Sequence, residues 1–152
     1  MRDHRELPAF QHSHELVLVV HEAVQQLPGL DRSALGARME AAAHSATAAV
    51  ARACAVPPEQ FSTQMDEASR RLREVGYYID IAQRLGHLDL DLAVELLERQ
   101  TRAGVEVNAL LQGEGNGGAT VALDWDGEGN PEPVPVGSGL GRGVTFPSVQ
   151  GR

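Results

Sequence analysis

The histidines, and the acids beside them, are the residues with most chemical potential. His14-Glu15 and His21-Glu22 each reproduce the first half of a helical zinc-protease motif. Both lack the second histidine four residues on, which must share a helix face with the first to close on one ion. His14 and His21 lie two helical turns apart, about 10 Å along an axis, too far to chelate one metal. His12 and His14 fall on different faces. Solvated or interfacial roles are therefore expected for these histidines, and no metal site.

Other routes to catalysis fail for equally physical reasons. Cys54 stands near the C-terminal end of an Ala-rich helical segment, where the helix dipole disfavours a thiolate. It reads as a small buried hydrophobe. Ser45 and Ser69 lack a base with an orienting partner, and no Glu-x-x-His pair supports a di-iron centre. Asp124, Asp126 and Glu128 resemble a calcium loop, but Gly127 stands at the wrong position for one. Gly113-Glu-Gly-Asn-Gly-Gly118 precedes no helix and carries no Lys or Ser/Thr at the phosphate-binding place. No acid, base, nucleophile or metal set can be assembled, so no enzyme, cofactor or small-molecule substrate is expected.

What remains is an arginine pattern. Arg70, Arg73, Tyr77 and Arg84 fall at i, i+3, i+7 and i+14 and share one helix face, with Arg71 beside them. Arg38 and Arg52 lie nearly in line on the preceding helical segment, and Arg99 pairs with Arg102 on the following one. Three uses compete: a solvated face paired with Glu67, Glu74, Asp80, Glu95 and Glu98; inter-subunit ion pairs; or phosphate contacts with Tyr77 stacked on a base. The overall balance weighs against the third. The 152 residues carry a formal charge of −8, and all 13 basic residues are Arg, whereas a non-specific nucleic-acid coat needs a positive surface.

The elements that must position these side chains are helices. The first segment spans about 10–27 and stops at Pro28-Gly29. Its apolar residues, among them Leu16, Val17, Val20 and Val24, cover more girth than one stripe and must be buried on two sides. Those four are expected to form an oligomer interface. The second segment opens after Asp31 or Ser33, either a suitable cap, and ends before Pro57-Pro58. It is rich in Ala, which favours helix and permits close packing. The third opens at Pro58. Phe61, Met65, Ala68, Leu72, Val75, Ile79, Ala82 and Leu85 recur along it at three- and four-residue steps. Gly86 stops it. The fourth follows a cap at Asp89, passes through Leu92, Leu96, Ala103, Val107 and Leu110, and ends at Gly113.

Short links between long helices predict an all-α fold, an antiparallel up-down four-helix bundle over 10–112, after an N-terminal arm at 1–9. Residues 113–152 hold 11 of the 16 glycines and four of the eight prolines. This acidic tail is expected to be largely disordered, with Trp125 as a candidate anchor for a partner groove. The single cysteine excludes a disulfide framework. The longest aliphatic run, Leu16 to Val20, is far short of a membrane span, and the start has no apolar export region. A cytoplasmic protein is expected.

The block Leu72-Arg-Glu-Val-Gly-Tyr-Tyr-Ile-Asp-Ile-Ala-Gln-Arg-Leu-Gly-His-Leu88 resembles the end of the third helix in the small bacterial four helix bundle family. That family includes proteins encoded in intervening sequences of large-subunit ribosomal RNA genes, and the accessory variability determinant of diversity-generating retroelements. Pro28, Leu35, Met39, Ala43 and Ser45 continue the likeness, which covers roughly 10–112. The resemblance implies a non-catalytic homopentamer. In the retroelement branch it further implies binding to a reverse transcriptase and template RNA, for which the Arg70, Arg73, Tyr77, Arg84, Arg38 and Arg52 surfaces are the candidates. The alternative is a divergent bundle with protein partners only, recruited through the C-terminal tail.

Overall fold

Breakers, more than side-chain caps, set the helix limits. The structure, a computed structural model, describes residues 3–115. A short 3-10 turn, His4–Glu6, is capped by Asp3, whose carboxylate accepts from the Arg5 N–H at 3.0 Å. Helix α1 (Pro8–Gln25) opens on Pro8, whose missing N–H would have had no partner in the first turn. It starts ahead of the predicted Phe10, so the supposed arm already belongs to the fold, and Ala9 is buried.

The second segment also begins early. One turn, α2 (Gly29–Asp31), continues through a π-helical stretch, Arg32–Gly36, into α3 (Ala37–Ala53). Neither predicted cap is used. Pro28 is the last extended residue, Asp31 is already helical, and the Ser33 hydroxyl donates back to the Leu30 carbonyl at 2.9 Å. Gly36 packs directly against the end of α1. A Cβ there would lie 2.7 Å from Val24 Cγ1, closer than carbon atoms tolerate, and a tight 3.2 Å from Leu27 Cδ1.

Helix α4 (Pro58–Arg84) and helix α5 (Leu90–Gly115) follow the predicted spacing. Gly86 takes the left-handed C-terminal position at φ +75°. Asp89 caps the last helix, its Oδ1 accepting from the Leu92 N–H at 2.8 Å. That helix passes Gly113, where the sequence predicts its end. A lone glycine costs a helix only about 1 kcal/mol and need not stop it.

Helices α1 and α4 each pack against both α3 and α5, which closes a ring of four long helices. Among the described residues there is no strand. Leu16, Leu27, Met39, Met65, Leu72, Ile79 and Leu96 fill the centre, and five alanines of α3 (Ala42, Ala43, Ala46, Ala49, Ala53) line its contacts. Two buried hydroxyls are satisfied locally, Ser13 donating to the Ala9 carbonyl at 2.7 Å and Thr47 to that of Ala43 at 3.1 Å, while Ser69 donates to Asn108 Oδ1 on α5 at 3.4 Å.

One expectation is overturned here. Leu16, Val17, Val20 and Val24 are all buried within the single chain. The excess girth of α1 is taken up by α3, α5 and the π-helical turn, so these four are core residues and leave no apolar surface for a subunit interface. Only Leu18 of the aliphatic run stays open. Trp125 and the Gly/Pro-rich segment beyond Gly115 lie outside the described residues. No described helix is long and apolar enough to cross a membrane.

Candidate interaction surface

Helix α4 buries Met65, Ala68, Leu72, Val75, Ile79 and Ala82, and that stripe fixes which residues face outward. Arg70, Arg73, Tyr77 and Arg84 are all exposed on the side away from the core, in the row predicted from their spacing. Asp66 and Asp80 continue the same row at the same three- and four-residue steps and are exposed too. The row is therefore of mixed charge.

Neighbouring acids take up most of its arginines. Arg70 pairs with Glu67 at 3.4 Å and Arg84 with Asp80 at 3.0 Å. Arg71 reaches Glu67 at 2.7 Å and Glu74 at 3.3 Å. The hydrogen bond that Arg71 donates to Glu67 is the first cause, the charge of Glu67 the second and Glu74 the next, of an Arg71 guanidinium held still more firmly protonated than usual. Arg73 is the one arginine of the row that makes no ion pair among the described residues. Beside it, Tyr77 is 62% exposed, and its ring lies 5.5 Å from that of Tyr78. Asp66, Ser69, Arg70 and Arg73 line one shallow depression.

The arginines of α3 do not join this row. Arg52 donates to Gln64 Oε1 on α4 at 3.1 Å, at the level of the turn before Arg70. Arg38 is exposed and also has no ion pair among the described residues. Arg99 turns away, pairing with Glu15 of α1 at 3.0 Å and with Glu95 at 3.6 Å.

The histidines serve as links between elements. His21 joins Glu40 across α1 and α3 at 2.9 Å. His87, in the turn after α4, meets Asp31 at 2.7 Å. His12 lies 3.5 Å from Glu15, and His14 stacks on Phe10 with ring centroids 5.9 Å apart. No three His, Cys, Asp or Glu converge among the described residues. Cys54, expected to be buried, is half-buried at the C-cap of α3.

Sequence reasoning missed a second exposed face, on α5. Leu90, Val94 and Val105 are 66%, 45% and 60% exposed. Their spacing was visible, but they lie off the stripe that predicts the core. Gln100 was also missed; it donates to the Leu72 carbonyl at 3.1 Å and ties α5 to α4 beside Gly76. Compared with known protein families and with characterised proteins, the chain matches none.

Proposed function

We propose that this is a non-catalytic, cytoplasmic scaffold, an up-down four-helix bundle that works by presenting outward helix faces to a macromolecular partner. The observation that carries the reading is the α4 row. There an exposed Tyr77 stands beside Arg73, which has no ion pair among the described residues, flanked by ion-paired Arg70 and Arg84 and by Asp66 and Asp80. Tyr and Arg are the residue types that dominate binding energy in protein interfaces. Alternating charges along the row suit a partner protein that carries both signs. A phosphate backbone would be repelled by the two aspartates and would have to displace Glu67 and Asp80 from their arginines.

A photo-crosslinking residue in place of Tyr77 tests this reading in the host cell. A discrete protein adduct is expected, and it should vanish when Arg73→Glu is added. A crosslinker at His44 on α3 supplies the control. Adduct formation at both positions alike would overturn the assignment.

A second reading, binding to structured RNA beside a reverse transcriptase, follows from the family resemblance. It is favoured by Arg73 and Arg38, both without a carboxylate partner among the described residues. Anisotropy of a labelled structured RNA separates the two. If RNA is the partner, affinity should fall steeply between about 50 and 200 mM salt. If the partner is protein alone, no binding should appear even at the lower salt.

A further inference from the structure

On α5, Leu90, Val94, Leu97, Thr101 and Val105 follow one another at steps of four, three, four and four residues. That spacing places them along one side of the helix, where Leu90, Val94, Thr101 and Val105 are exposed and Leu97 is half-buried. Val94, Leu97, Thr101 and Val105 share one continuous surface with Glu98, Arg102 and Glu106. Burying apolar area on this scale is favourable wherever a complementary surface is available.

Two of its three charges, Glu98 and Arg102, identify that surface. Glu98 and Arg102 are exposed, one turn apart, and neither makes an ion pair among the described residues, although Arg99 and Glu95 on the adjacent side do pair. We infer that the outward face of α5 pairs with the same face of a second copy of this chain, the two helices running antiparallel about a two-fold axis. With the axis at the level of residue 100, Glu98 of each copy faces Arg102 of the other. The same register sets Val94 against Glu106 and, one residue's rise away (about 1.5 Å), Val105, and sets Leu90 against Leu110 and Ala109. In a parallel pairing Glu98 and Arg102 of the two copies would instead fall on opposite rims of the contact and could not pair with one another. The face is self-complementary in one orientation only, as an isologous interface requires.

This dimer is independent of the α4 row. It also differs from a ring built on α1, whose apolar side is closed.

Charge reversal in the full-length protein tests it by sedimentation equilibrium. Wild type should associate reversibly to a dimer as concentration rises. Glu98→Arg and Arg102→Glu should each weaken association at least about tenfold, because each sets like charges against one another twice. An equimolar mixture of the two variants should recover association to within about threefold of wild type. In that mixed dimer the two arginines of one copy face the two glutamates of the other, so both contacts are again complementary. Both positions are exposed, so unchanged helicity by circular dichroism checks that the variants fold. A wild type that stays monomeric overturns the inference, as does a mixture no tighter than the single variants; either result would assign this face to another partner. Crosslinking through Tyr77 should persist in both variants, so loss of the dimer is distinguishable from failure of the α4 reading.

Discussion

Gly36 is the residue at which sequence and packing are most tightly coupled. In a helix interior, replacing glycine with alanine normally stabilises by about 1 kcal/mol. Here the added methyl would meet Val24 Cγ1 at 2.7 Å, and a buried β-branched side chain has no free rotamer into which it can retreat. Gly36→Ala should therefore lower the unfolding free energy by a net of about 1–2 kcal/mol, read from a urea titration of helicity. A stabilised variant would show that α1 can shift away from the turn. None of this was legible in the sequence, because Gly36 carries no local turn signal and its constraint comes from a segment a dozen residues earlier. The long-range pairs His21–Glu40, His87–Asp31 and Arg99–Glu15 were hidden for the same reason. Asp66 and Asp80, by contrast, could be read from the spacing that revealed Arg70 and Tyr77, and they change a basic row into a mixed one.

The limits of each helix follow from a few backbone requirements, and these carry their own expectations. Gly86 sits at φ +75° with open space around it, so Gly86→Ala should cost about 1 kcal/mol through left-handed strain alone, with no steric penalty. Asp89→Ala removes the acceptor for the Leu92 N–H and should also cost about 1 kcal/mol. Thermal melts of the two variants check both. The outward row of α4 should behave differently. Arg73→Glu and Tyr77→Ala should each leave stability within about 0.5 kcal/mol of wild type, since neither side chain touches the core, and Arg73→Glu should in addition abolish the adduct of the crosslinker at position 77. Four long helices and the α4 core stripe were legible because the apolar period there is unbroken from Met65 to Ala82. The start of the second segment was not. Asp31 and Ser33 have the chemistry of caps, but Pro28 ends the extended chain first, and Asp31 is used by His87 instead.

Across the whole molecule, the decisive feature is how much of α1 the other helices cover. Its apolar girth was read correctly, but the number of neighbours available to hide it cannot be counted on one helix. The ring of contacts supplies two long helices and the Gly36 turn, and Leu16 ends fully buried among them. Leu16→Ala should therefore cost about 2–5 kcal/mol as a core cavity. The loss should appear as one cooperative transition whose midpoint varies with protein concentration no more than that of wild type. A Leu16→Ala variant of unchanged stability that no longer associates as wild type does would return Leu16 to an interface.

The five buried alanines of α3 have a consequence for how such a chain can diverge. Alanine carries the smallest side chain after glycine, so random change along that seam has almost one direction open to it, towards bulk. Each enlargement must await a matching reduction on α1 or α4, or be absorbed by pliable thioethers such as Met39 and Met65. Descendants should therefore vary slowly along this seam and freely on the outward rows, which would let the same frame acquire new partners while its interior stays nearly fixed.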